Sequence, residues 1–598
     1  MLRVKRVRKS SREQIVKSIV MRKIFTKSVF NHQSETILGA ALLTAFFSLL
    51  SSLLGVLRNA LLASRFGASA NLDIYYASFR LPDFIYNIFI AGALTVVFLP
   101  IFTDCWRKNK EDAWKFTNAS IMIIGIIIIL LAGLIVVFAR PILTKILVGF
   151  TEEKLNQAIV LTRIMMLQPL LLGISAIVSS VLRFFKLFLV TAIAPLMYNL
   201  GIIAGLLFFT PIFGLKGLAY GVVLGALLHL VIQLPSLFNA GYHLQFNIKV
   251  LKEMREEIKR VIIMTGPRLI GVMSYQVFLL AVTAIATLLQ EGSLTIFNFA
   301  NDFQNLPLNV FALSFSIAAF PRLAQLESSQ LKEEFNKVFS DTSSQILFFL
   351  VPLATWIIIF REPIVRLLLG YGRFNWQATL TTTKVLAILT LSLIFNGLNQ
   401  LFLKTFFAKK DVLTPIYAAL IAYILGLGIT YYGSLKLGIW GLAIGVTLAN
   451  ILDSVLMSYF LKKKFGLSLS GATNKAVISE EAQGVHDKIH IFKRFQLKTD
   501  ESRVNFIKKM FWLFLISIIS GGLGYGIFKS VTKVLPSTKV INLVIASALG
   551  GGLTVMIFII GVWLSGMEEI RYLRDFFKRD VFKIFKRHDK FDDVSINI

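Results

Sequence analysis

Arg58, Arg80 and Arg268 each lie inside or beside a long apolar stretch. A charge at the centre of a bilayer costs at least roughly 2.5–3.5 kcal/mol on insertion scales, so it persists where it meets water, a partner or a ligand. Arg80 precedes Leu81-Pro82, and Arg268 follows Gly266-Pro267. Proline inside a span frees backbone carbonyls and bends the helix, which is tolerated where the bend lines a cavity. A guanidinium there holds phosphate oxygens through two parallel N–H groups, so these residues suit a diphosphate ligand. The alternative for Arg268 is an internal ion pair with Asp302.

The segment FNFANDFQNLP (297–307) sets Asn298, Asn301, Asp302 and Asn305 at three- and four-residue spacings, most of them on one helical face. Such a stripe lines a hydrated cavity or bonds between helices. Asn396, Asn399 and Gln400 form a second amide group with the same two readings. Further charges within the apolar blocks are Asp73, Arg163, Arg183, Lys384, Lys404 and Asp453. Snorkelling at a span end accounts for Arg183, Lys404 and Asp73. Asn450 and Asp453 are candidates for a coupling cation and fit helix packing equally well.

Enzyme chemistry finds no support. The six histidines form no metalloprotease pair on a span, and His486 and His490 share a polar loop with no third ligand. GLGYGIFKS (522–530) lacks the adjacent Gly-Lys of a phosphate loop, so the chain carries no ATP-driven pump. The single Cys105 excludes a disulfide framework or thiolate cluster within the chain. No metal or cofactor is expected.

The elements that position these side chains follow from composition. Of 598 residues, 56% are hydrophobic and only 16% charged, and the apolar residues come in blocks of helix length. The expectation is an all-α integral membrane protein with about fourteen transmembrane helices, since lipid leaves helices or closed barrels as the spanning structures. Spans are expected near 36–63, 74–103, 117–139, 157–184, 187–209, 217–239, 260–289, 293–320, 338–360, 377–406, 412–433, 437–461, 507–528 and 540–565. The domain reading is a basic cytoplasmic tail (1–35), a first lobe of six spans (36–239), a cytoplasmic linker (240–259), a second lobe (260–461), a polar cytoplasmic loop (462–506), a terminal helix pair (507–565) and a basic tail (566–598). Most of the 63 Lys and Arg fall on the side of the two termini, which places both termini in the cytoplasm. The net charge of +30 is then explained by topology and anionic headgroups, and no nucleic-acid partner is expected.

A weak repeat joins the two lobes. LRFFKLFLVTAIAPLMYN from Leu182 faces LKTFFAKKDVLTPIYAA from Leu403, aligning Arg183 with Lys404 and Pro195 with Pro415. GLAYGVVLGALL (217–228) faces GLAIGVTLANIL (441–452), pairing Gly217 with Gly441 and Gly221 with Gly445. Six spans per unit is an even number, so the lobes share one orientation about an axis along the membrane normal. Gly221 and Gly445 read as close-packing positions between helices.

The run GVLRNALLASRFGASANLDIYYASFRLPDFIYNIFIAGALTVVFLPIF (55–102) resembles the first two helices of the MurJ/MviN lipid II flippases, members of the superfamily of multidrug and oligosaccharidyl-lipid exporters. LTRIMMLQP (161–169), AIAPLMYN (192–199), GLAYGVVLGALLHLVIQLP (217–235) and FFAKKDVLTP (406–415) are similar too, and the likeness covers 36 to about 461. The resemblance implies alternating access: two lobes enclose a cationic cavity that carries an undecaprenyl-diphosphate-linked peptidoglycan precursor from the inner to the outer leaflet. The cavity would be lined by Arg58, Arg80, Arg268, Asp73, Asn301, Asp302 and Asn305. Arg58 falls on a family cavity arginine, Asp73 on its acidic residue and Arg80 on a basic position. The terminal pair falls where that family forms a groove for the lipid tail.

Ser52, Tyr86 and Asp302 stand where the family has arginines, and Ala91 where it has a glutamate; Arg268 is expected to restore part of the lost charge. Two alternatives stay open: a flippase for another polyprenyl-diphosphate oligosaccharide, and a non-transporting membrane scaffold. Expected partners are the glycolipid, membrane lipids, a coupling cation or the membrane potential, and cell-wall synthesis proteins, in the bacterial inner membrane.

Overall fold

In a computed structural model, residues 37–88, 95–243, 247–469, 488–535 and 540–565 are described, and among them the regular elements are helices. Eleven are long and apolar enough to cross a membrane, and Trp376–Thr390 with Leu393–Ala408, bent by 43°, makes a twelfth. The chain is a multi-pass membrane protein. The other two expected spans are 74–103 and 260–289. The first is represented by the helices Ala70–Tyr86 and Thr95–Lys108, with 89–94 outside the described residues. The second falls in the helix Arg255–Thr287, of which Val272–Thr287 is apolar.

The bend at Leu391-Ser392 is satisfied from neighbouring helices. Gln304 Nε2 donates to Leu389 O (2.8 Å) and Ser392 Oγ (2.9 Å), and Thr447 Oγ1 donates to Ile388 O (3.1 Å). Side chains of adjoining helices thus take up the carbonyls that the break frees. The chain divides into two compact units. One holds the described residues up to Phe299 together with Leu368–Ala378 and Ala419–Val446; the other holds Ala300–Leu367, Thr379–Ala418 and the described residues from Thr447 onward. In the second unit the terminal helices pack on one another and on Lys332–Ile359. Trp356 Nε1 donates to Ser517 O (3.2 Å) and Ser520 Oγ (3.3 Å), beside Gly521, which leaves room for the indole.

Backbone geometry supports the repeat and corrects its register. Lys186 and Lys410 both adopt φ 60°, and Gly214 and Gly438 both adopt φ 59°. Each lysine ends a helix in the same way: Lys186 N donates to Arg183 O and Leu187 N to Leu182 O, as Lys410 N does to Phe407 O and Asp411 N to Phe406 O. This is the left-handed helix end with paired bonds. Lys186 to Gly214 and Lys410 to Gly438 are each 28 residues, so no gap intervenes. In this register Arg183 faces Phe407 rather than Lys404, and Pro195 faces Ala419 rather than Pro415. The sequence alignment slipped by about one helical turn, which keeps residues on the same face and so preserves apparent similarity.

The glycine pairs keep their assignment. A Cβ on Gly221 would meet Gly205 Cα at 2.7 Å, and one on Gly445 would meet Thr430 N at 2.6 Å. Helix backbones therefore touch directly at both places. Gly221→Val is expected to destabilise the purified protein by about 1–3 kcal/mol, the range for overpacking. Gly428→Ala, which adds its methyl to open space, is expected to leave the thermal unfolding midpoint unchanged or raise it. Equal midpoints for the two variants would remove the close-packing assignment.

Candidate functional site

Asp73 sits in the first turn of Ala70–Tyr86, 6% exposed. Its Oδ2 accepts from Gly292 N (2.6 Å), and its Oδ1 accepts from Thr295 N (2.8 Å) and Thr295 Oγ1 (2.7 Å). These backbone donors belong to the start of the helix Ser293–Pro307, whose first N–H groups have no partner within the helix. Asp73 therefore caps a helix more than two hundred residues away in sequence. Neither snorkelling nor an open cavity position describes it, because both oxygens are engaged and buried. The same cluster of loops brings Arg373 N to Ser64 O (2.8 Å) and Ala68 O against Gly292, a glycine at φ 86°.

Two turns further along the Asp73 helix, Arg80 is half-buried. Its Nε donates to Thr283 Oγ1 (2.7 Å) and its Nη2 to Asn298 Oδ1 (2.9 Å). Asn298 is held in turn through Nδ2 to Leu294 O (2.7 Å). Three helices thus meet at one guanidinium, through a hydroxyl and an amide that orient it.

Arg58, on Ile37–Phe66, is also half-buried. Its Nε and Nη2 donate to Asn59 Oδ1 (3.2 and 3.0 Å), and its Nη1 donates to Asn199 Oδ1 (3.2 Å). Asn199 is itself positioned by Nδ2 donating to Pro195 O (3.3 Å) and Ser51 Oγ (3.4 Å). Amides on two helices orient the fork of Arg58, a geometry suited to an oxyanion.

The polar stripe divides by partner. Asn298 bonds Arg80 and Gln304 bonds the bent pair, so these two tie helices together. Asn301, Asp302 and Asn305 are half-buried on the helix Ser293–Pro307. Arg268 lies among residues 266–271, whose side chains are outside the described set, as is Ala91. Its proposed pairing with Asp302 is outside it for the same reason. Ser52 Oγ donates back to Ser48 O (3.0 Å) on its own helix. Asp453, 4% exposed, accepts from Asn399 Nδ2 (3.0 Å), a contact between helices.

Asp83 is the residue that the sequence reading passed over. It is half-buried in the expected span 74–103, where the cost rule applied to Arg58 applies to a carboxylate as well. Gln168 Nε2 donates to its Oδ1 at 3.4 Å, and Tyr75, Tyr86 and Tyr198 lie within its electrostatic reach.

The sequence profile described as "Lipid II flippase MurJ" matches residues 62–482. A probable lipid II flippase MurJ of Thermotoga maritima is 28% identical over 441 residues, 73% of this chain and 88% of that protein. A lipid II flippase MurJ of Burkholderia cenocepacia is 26% identical over 432 residues, 71% of this chain and 84% of its own length. Among solved structures, a lipid II flippase MurJ in an inward closed conformation superposes with a TM-score of 0.66 at 22% identity, over 88% of this chain and all of the other. An inward-facing multidrug transporter of the MATE family superposes with a TM-score of 0.60 at 15% identity, over 72% of this chain and 96% of its own, a likeness of fold.

Proposed function

This chain belongs to the lipid II flippase MurJ family, and from that premise we infer that it carries lipid II from the inner to the outer leaflet of the bacterial inner membrane by alternating access. The observation that carries the mechanism is Arg58, an intramembrane guanidinium presented by two neutral amides, Asn59 and Asn199. A diphosphate offers oxygens to that fork and a charge to match it. Arg80 adds a second positive centre on the adjoining helix, and Asn301, Asp302 and Asn305 are polar groups suited to the sugar and peptide portion. Asp73 serves as a positioning group through its helix cap. Arg268 supplies charge where Ser52, Tyr86 and Asp302 replace the family's arginines. The family is one of transporters, and we read the chain as acting without covalent catalysis, driven by a cation gradient or the membrane potential and working beside cell-wall synthesis proteins.

Proteoliposomes containing the chain test the substrate directly. Faster translocation of lipid II than of another undecaprenyl-diphosphate oligosaccharide supports this reading, and the reverse preference replaces it. Arg268→Ala is expected to lower the rate; a full rate in that variant removes Arg268 from the account.

Both termini and the 462–506 loop face the cytoplasm on the positive-inside rule. A Ser479→Cys reporter, in a background with the buried Cys105 replaced by serine, is expected to resist an impermeant maleimide in intact cells and to react after permeabilisation. Labelling of intact cells would invert the topology.

A further inference from the structure

Arg183 stands in the last turn of the helix Leu167–Phe184, where snorkelling would carry its head outward, past the helix end toward water. The side chain turns the other way. Its Nη2 donates to Ser180 Oγ (3.3 Å), one turn back into the span, and Ser180 Oγ donates in turn to Ala176 O (2.9 Å). Protein covers the helix along that line: Ser179 and Ser180 are 8% and 1% exposed, and Ala176 and Tyr86 pack against the same buried residues, Ile85, Ile128 and Met166. Arg183 itself is exposed, so its guanidinium sits at an opening beneath that cover. Among the described residues no carboxylate pairs with it, and the long bond to Ser180 leaves most of its N–H donors unspent.

The residues that follow fix the level of this opening. Phe184 and Phe185 pack against Trp106, with ring centroids 5.5 and 5.0 Å apart, and Phe185 stacks on Trp114. Aromatic clusters of this kind mark the headgroup level of a bilayer. Lys186 turns the chain with φ 60°, and Phe188 begins the next helix. Asn199, which holds Arg58, lies along that helix by about 16 Å, at a rise of about 1.5 Å per residue. One helix pair thus carries a guanidinium at headgroup depth and anchors a second well inside the membrane. On the topology proposed above the shallower level is the inner leaflet, where the diphosphate of the substrate starts. We propose that Arg183 is the entry contact of the substrate path, taking the diphosphate of lipid II from the inner leaflet before it reaches Arg58, a step that rests on lipid II as the substrate and on Arg58 as the deeper site. Its fork meets phosphate oxygens through parallel N–H groups, and no covalent bond changes.

A contact that acts on loading is read in the substrate dependence of the rate. Proteoliposomes of neutral phosphatidylcholine hold the full chain with lipid II at graded mole fractions. Arg183→Gln is expected to raise the half-saturating fraction about tenfold or more, the loss of one charge-assisted contact, with the maximal rate nearly unchanged. Arg183→Lys, which keeps the charge without the fork, falls between. Where Arg183→Gln fails to fold, Arg183→Lys decides alone, and an unchanged half-saturating fraction in it overturns the proposal. An anionic phospholipid offers the same phosphate chemistry, so the series is repeated with phosphatidylglycerol in the vesicles. A defect confined to those vesicles gives the site to the phospholipid and overturns the proposal, as does an unchanged half-saturating fraction in Arg183→Gln, with or without a lower maximal rate. Each of these leaves lipid II and Arg58 in place. Failure of the unsubstituted chain to move lipid II, or a full rate in Arg58→Ala, overturns the reading beneath and the proposal with it.

Discussion

Replacement of Arg58 by alanine is expected to slow lipid II translocation by about 30-fold or more. Removing one member of a buried, hydrogen-bonded charge pair costs about 2–5 kcal/mol, and each 1.4 kcal/mol is a factor of ten. The loss belongs to the substrate complex rather than to the fold. In the empty protein the guanidinium donates to the amide oxygens of Asn59 and Asn199, which forgo neutral hydrogen bonds worth about 0.5–1.5 kcal/mol each. The thermal midpoint of Arg58→Ala should therefore stay close to that of the unsubstituted chain. Arg58→Lys keeps the charge and loses the planar fork, so its rate should lie between the two. Full translocation by a well-folded Arg58→Ala would favour the scaffold alternative.

Asp73→Ala should have the opposite signature, a large loss of stability at the outset. Three donors at the start of Ser293–Pro307 lose a buried acceptor at once. Cap removal alone costs about 0.5–2 kcal/mol, and leaving buried donors unmet adds to it, so a total of about 3 kcal/mol is expected in reversible unfolding. Asp73→Asn retains one acceptor oxygen and turns an N–H₂ toward a backbone N–H, so it should recover part of the loss at most. An Asp73→Ala protein of unchanged stability but weakened lipid II binding would return Asp73 to the substrate site.

The contrast between these residues shows how much was legible in advance. Hydropathy locates the twelve spans recovered among the described residues, because lipid imposes a length and an apolar composition that few other constraints mimic. Arg58 and Arg80 stand out by the same logic, as charges that apolar surroundings make expensive. The role of Asp73 does not stand out, since a cap contributed in trans by a residue 219 positions from Gly292 leaves no local pattern such as a capping box. The repeat is visible through its glycines, yet its register near Pro195 was misread by one turn; only the paired left-handed residues Lys186 and Lys410 settle it. Asp83 carries its signal openly, an acid within an apolar run, but its meaning depends on Gln168 from a distant helix. The stripe at 297–307 was ambiguous because the same amides serve cavities and helix contacts, and Asn298 and Gln304 prove to be contacts.

The claim on which the rest depends is that Arg58 receives the diphosphate of the lipid. A cryo-electron microscopy map of the chain with lipid II in nanodiscs tests it most directly. The account predicts phosphate density within hydrogen-bonding distance, about 2.7–3.2 Å, of the Arg58 guanidinium. Lipid II bound with its phosphates away from the Arg58 guanidinium would contradict it.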